Sequence, residues 1–167
     1  MNRLADRWVV LIGLMVARIS FGFSFQVVPT VAPGIAEQMD LDALAIGTLV
    51  GLFMLPGFFL ALPGGLFAQW VGERRVLVFG LIGMSGGALL CATAGTYEAL
   101  WIGRLVSGIA GILVTVVMTK LVVDWFAGKE LATAMGLFLG GYPAGIGLAL
   151  VALGPFAEPG QWHIAFF

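Results

Sequence analysis

The sequence predicts an all-α protein, a polytopic membrane bundle of five transmembrane helices followed by the start of a sixth. Three observations carry that prediction. Of 167 residues, 60% are hydrophobic, only 10% are charged and 25 are glycine, a composition that a soluble domain of this size would struggle to keep in solution. Five apolar stretches reach the ~20 residues that a helix needs to cross about 30 Å of hydrocarbon. Lysine and arginine, finally, collect on alternate connections between those stretches.

The first span runs from Trp8 to Val28. Its opening, MNRLADRW before VVLIGLMVA, has the outline of a signal peptide, but the apolar run continues through Arg18 without a persuasive small-residue cleavage site, so it reads as a retained helix. PTVAPG then punctuates the chain. The second span covers Leu44 to Ala68, with Asp42 as its expected N-cap. Spans three and four cover Val76 to Ala94 and Leu100 to Val123. DWFAGKE precedes span five, Leu131 to Leu153, and GPFAEPG follows it. A sixth span begins at Trp162 and is cut off at Phe167, so residues 1–167 read as one transmembrane domain with no soluble domain between spans.

Orientation follows from charge. With the amino terminus in the cytoplasm, Arg3, Arg7, Arg74, Arg75, Lys120 and Lys129 all lie on or near the inside, whereas the connections holding Glu37, Asp40, Asp42, Glu98 and Glu158 contain no Lys or Arg. The expected location is a bacterial-type inner membrane. Trp8, Trp70, Trp101, Trp125 and Trp162 all fall near span ends, where an indole sits at the headgroup level.

The net charge of −1 and scattered basic residues give no sign of a nucleic-acid partner. The single cysteine, Cys91, allows no intramolecular disulfide, and no CxxC or Cys/His metal spacing occurs. Cys91 reads as a small core residue. No metal or cofactor is implied, and no nucleophile–base constellation, HExxH or phosphate-cradling loop suggests an enzyme.

Two arginines fall inside spans. Each costs about 2.5–3.5 kcal/mol at the bilayer centre on insertion scales, so each is expected to face a partner or a water-filled cavity. Arg18 shares a helical stripe with Gly22 and Phe25, beside Gln26; Arg104 shares one with Gly108, Gly111 and Thr115. Arg18 suits an anionic solute group, since a guanidinium offers a planar fork of donors. The alternative for both is structural, bonding helix carbonyls or bracing neighbouring spans. Every Asp and Glu sits in a loop or at a span end, leaving no obvious midmembrane carboxylate for proton coupling.

Glycines at four-residue spacing, Gly47/Gly51, Gly83/Gly87, Gly103/Ser107/Gly111 and Gly136/Gly140, predict close helix packing. Pro56 and Pro143 lie inside spans, where each removes a backbone hydrogen bond. Tyr142 offers either a hydroxyl to a cavity or interhelical packing. RISFG from Arg18 and RLVSG from Arg104 form a short internal echo, placed where an inverted three-helix repeat would put it.

In order and topology the chain resembles the amino-terminal half of a major facilitator superfamily transporter. GGLFAQWVGERR, Gly64 to Arg75, is similar to the family's G-G-x-L-A-D-R-x-G-R-R signature through Gly64, Gly65, Leu66, Ala68, Gly72, Arg74 and Arg75, with Gln69 in place of the aspartate, Trp70 in place of an arginine, and Glu73 where another basic residue is often found. Arg104 and Gly108 resemble the R-x-x-x-G pattern of helix four, and WHIAFF the start of helix six. The resemblance implies that the helix two to three loop steadies one conformation through charge contacts, for which Gly65, Gln69, Gly72, Arg74, Arg75 and Asp124 are the candidates, Asp124 pairing with Arg74 or Arg75. Around Tyr142 and Pro143, GLFLGGYPAGIG looks nearer to uptake members similar to cyanate and nitrate or nitrite carriers than to the antiporter signature.

The sequence therefore reads as a secondary transporter segment that moves a small solute, an anion by preference, by alternating access. Arg18, Phe25, Gln26, Arg104, Thr115 and Tyr142 are the expected pathway residues. The alternatives are an exporter of drugs or metabolites with a phenylalanine lining, and a non-transporting membrane interaction protein. Partners are the solute, the lipid bilayer and either a missing carboxy-terminal half or a second chain. The stop inside a helix favours a fragment of about twelve spans.

Overall fold

The computed structural model describes residues 3–166 apart from Lys129, without the side chains of residues 3–6, so the expected placements of Arg3 and Lys129 as topological charges lie outside the described side chains. Five long helices run back and forth: α1 (Arg3–Met39), α2 (Ala43–Val71), α3 (Glu73–Ala92), α4 (Tyr97–Trp125) and α5 (Leu131–Leu153). Each contains a stretch long and apolar enough to cross a membrane. Even α3, at 20 residues, spans about 30 Å at 1.5 Å per residue. Two 3-10 turns follow, Gly154–Phe156 and Trp162–Phe166, so the sixth element starts as a tight turn within the described residues.

PTVAPG does not end the first helix. α1 continues through Pro29 and Pro33 to Met39, 37 residues in all. Proline is tolerated where a neighbour satisfies the carbonyl it orphans. Pro29 cannot donate to the Phe25 carbonyl, and Arg104 Nη2 from α4 donates to that oxygen instead, at 3.2 Å. The far end of α1 is held by the segment after α5: Gln38 Oε1 accepts from Trp162 Nε1 at 2.7 Å and from the Gly160 amide at 3.0 Å. Trp162 is consequently fully buried, stacked on His163.

Local signals fix the other boundaries. Asp42 caps α2, its carboxylate accepting from the Ala45 amide at 2.8 Å. Thr96 caps α4 in the same way through the Ala99 amide at 3.4 Å. Between α2 and α3 the chain reverses at Gly72 alone, whose φ of +98° is a conformation that side chains rarely adopt.

α1 packs along α5, and α4 lies between α2 and α3 and packs on both. Backbones approach closely at both seams. A Cβ at Gly145 would strike the Ile19 carbonyl, and one at Gly103 would come 2.8 Å from the Gly87 carbonyl oxygen. Gly83, Gly87, Gly103 and Gly111 thus pack as their spacing predicts. Gly47, Gly51, Gly136 and Gly140 do not: nothing lies against them, and those faces of α2 and α5 are open. Four-residue spacing reports a smooth helix face but not whether this chain supplies its partner.

One core cluster gathers Ile35, Leu49, Leu100 and Trp162, the other Phe21, Phe53, Val114 and Phe138. Cys91 is buried in the first. The bundle's two ends differ in how they are tied. Gln38, Trp162 and His163, whose Nδ1 lies 3.0 Å from the Ala92 carbonyl, close one end. Ion pairs close the other: Arg7 with Glu130 at 3.5 Å, and Lys120 with Glu73 and Asp124.

Candidate functional site

Arg104 is 2% exposed, and each nitrogen of its guanidinium donates to a backbone carbonyl: Nε to Leu49 at 3.2 Å, Nη1 to Ser24 at 3.0 Å and Nη2 to Phe25 at 3.2 Å. The Phe53 ring lies 4.5 Å from its central carbon. Arg104 therefore joins α4 to α1 and α2, spending its fork on main-chain oxygens. Such a residue braces the three helices, while also lining a cavity of about 200 Å³ with Ser24, Phe53 and Ser107.

Arg18 is placed differently. Its Nη1 donates to Thr115 Oγ1 of α4 at 3.4 Å, long for a hydrogen bond, and its buried Nε has no partner. No carboxylate pairs with it among the described residues. Instead the guanidinium carbon lies 5.7 Å from the Phe21 ring, 5.2 Å from Phe138 and 5.5 Å from Tyr142, within cation–π range. Ring faces partly compensate the desolvated charge and leave its in-plane donors available. An anionic group could complete that arrangement.

The geometry brings Arg18, Thr115, Tyr142 and Phe25 into one constellation, since the Phe25 ring lies 6.1 Å from Tyr142. Gln26 donates to Thr30 at 3.4 Å within α1 and makes no bond to the others. Phe21, Phe53 and Phe138 belong to the wall although sequence reasoning did not select them. Spacing carries the signal: Phe21 stands one turn after Arg18, and Phe138 one turn before Tyr142.

The echo between spans one and four has a structural counterpart. Four residues after Arg18, Gly22 lies directly under the Tyr142 carbonyl of α5. Four residues after Arg104, Gly108 lies under the Phe53 carbonyl of α2, where a Cβ would come 2.6 Å from the oxygen. Each arginine reaches the opposite helix of the pair, Arg18 to Thr115 on α4 and Arg104 to Ser24 and Phe25 on α1. The motif is thus a crossing device: glycine admits the neighbour, and arginine ties the central helices.

At the charged end, Gly72 forms the hairpin, Gly65 is half-buried with Val116 3.7 Å from where a Cβ would stand, and Gln69, Arg74 and Arg75 are exposed. Asp124 does not pair with Arg74 or Arg75. It accepts from Lys120 Nζ at 2.6 Å, and the same amine binds Glu73. Lys120 stands one helical turn before Asp124, and the packing of α3 on α4 brings Glu73 to it, whereas the two arginines turn outward. Arg7, with its guanidinium carbon 5.9 Å from the Phe126 ring, ties α1 to Glu130 at the start of α5. Sequence reasoning missed Glu73, Lys120 and Glu130 as partners because their pairing depends on how helices distant in sequence pack.

Five membrane-length helices joined by glycine-mediated crossings make a helix bundle of the integral membrane class. The Major Facilitator Superfamily profile matches residues 11–167, and the chain belongs to that superfamily, whose members are transporters. It is 26% identical over 86% of its length to a gallate transporter of Pseudomonas putida, covering 32% of that protein. It is 30% identical over 80% of its length to plastidic glucose transporter 4 of Arabidopsis thaliana, covering 24% of it. It is 25% identical over 77% of its length to multidrug resistance protein 1 of Bacillus subtilis, covering 32%. The chain thus spans between about a quarter and a third of these relatives.

Proposed function

We propose that the chain forms the amino-terminal half of a secondary transporter that moves a small anionic solute by alternating access, with Arg18 contacting the anionic group. The observation that carries this reading is the contrast between the arginines: Arg104 spends all three nitrogens on carbonyls, while Arg18 has one long bond and an unpartnered Nε. Thr115 and Tyr142 position the group, Phe25 and Gln26 shape the path, and Arg104 holds α1 against α4. Binding drives the cycle only through unequal affinity for the inward- and outward-open states. The open glycine faces of α2 and α5 receive the other half, supplied by further chain or a second subunit. The amino terminus and the Arg7, Arg74 and Lys120 end face the cytoplasm of a bacterial-type inner membrane, following the distribution of basic residues.

The relatives named above, for gallate, glucose and multiple drugs, lend no support to a cyanate or nitrate substrate. The aromatic wall of Phe21, Phe25, Phe53 and Tyr142 favours a second reading, export of an amphipathic compound. Proteoliposomes loaded for anion uptake and for dye efflux separate the two. Saturable uptake inhibited by other carboxylates, with no dye efflux, supports the first; dye efflux insensitive to anions supports the second.

A further inference from the structure

Between α2, α3 and α4 a groove of about 430 Å³ opens on the outer surface of the bundle, and every residue lining it is apolar, among them Phe67, Val71, Val76, Phe79, Ile109 and Leu113. It begins beside the α2–α3 hairpin, at Val71 and Val76, and reaches Val106 on α4. Lys120, which binds Glu73 at the hairpin, stands fourteen residues beyond Val106, the lining residue farthest from the hairpin, so the groove reaches about 21 Å from it at 1.5 Å per residue. That reach lies within a hydrocarbon core about 30 Å thick. Its length, volume and apolar lining suit an acyl chain.

A groove of this kind exerts no pull of its own, because the surrounding lipid is equally apolar. Selection has to come from its mouth. Trp70, 92% exposed at the end of α2, sits at the level where indoles meet headgroups. Arg74 and Arg75 follow it, both exposed and without an ion pair among the described residues, while the nearby carboxylates of Glu73 and Asp124 are both engaged by Lys120. We infer that this groove binds an anionic glycerophospholipid, its acyl chain along Phe79 and Ile109 and its phosphate at Arg74 and Arg75. Arginine suits a phosphate through its paired donors.

The test is lipid retention. The purified chain is equilibrated with equal parts phosphatidylglycerol and phosphatidylcholine, and the lipid kept after detergent exchange is read by native mass spectrometry. Phosphatidylglycerol is retained preferentially, and the preference falls about 5-fold for either single arginine-to-glutamine change and roughly 30-fold for R74Q/R75Q. High salt erodes it in the unaltered chain. Ile109→Trp, at a partly exposed position, fills the groove and lowers retention of both lipids while the elution profile stays that of the folded chain. Equal retention of the two lipids, a preference unchanged in R74Q/R75Q, or full retention in Ile109→Trp overturns the inference.

Discussion

Arg18 and Arg104 share a residue type and a glycine four residues on, yet they stand at different levels of the bundle and their donors meet different partners. Arg104 satisfies three carbonyls, including the one that Pro29 orphans. Arg104→Ala therefore costs about 3 kcal/mol, roughly 1 kcal/mol for each bond lost, and lowers the thermal midpoint in detergent. Arg18→Ala removes a desolvated charge with one long bond, and stability changes by no more than about 1 kcal/mol. Equal losses in the two variants would refute the division of roles. The sequence shows that both residues are unusual, because charge inside an apolar span is costly at any position. It does not show which one is tied to main-chain carbonyls, since those carbonyls belong to helices dozens of residues away.

At the scale of the helices, close approach depends on backbone without side chain. Gly145→Ala puts a methyl against the Ile19 carbonyl, forces α1 from α5 and costs about 2 kcal/mol, whereas Gly136→Ala, with open space around it, changes stability by less than about 0.5 kcal/mol. Thermal unfolding of the two variants checks the pair. Five spans were legible because length and hydropathy are local properties; the caps were legible where a side chain such as Asp42 precedes an apolar run. The end of α1 was not. Its last turns are fixed by Gln38 meeting Gly160 and Trp162, more than 120 positions on. Gln38→Ala leaves the buried indole without its acceptor, costs about 1–2 kcal/mol, and is detected as faster amide exchange at the end of α1 and a shift in tryptophan fluorescence; unchanged exchange would contradict the clasp.

For the whole molecule, opposite ends are tied by different chemistry, hydrogen bonds around Gln38 at one and ion pairs around Lys120 at the other. An alternating-access cycle requires that one end yield while the other holds. Lys120→Gln releases Glu73 and Asp124 together and, under the alternating-access reading proposed above, shifts the protein toward opening at that end, read as a longer spin-label distance between the α2–α3 hairpin and the half proposed to face it. An unchanged distance distribution would remove Lys120 from the switch. The most direct test of the central claim is solute uptake by the assembled transporter in proteoliposomes carrying Arg18→Ala, with folding monitored by size exclusion and circular dichroism. The account predicts a folded protein whose uptake falls at least 10-fold, with Arg18→Lys restoring part of it. Uptake at the unaltered rate by the folded Arg18→Ala protein would contradict it.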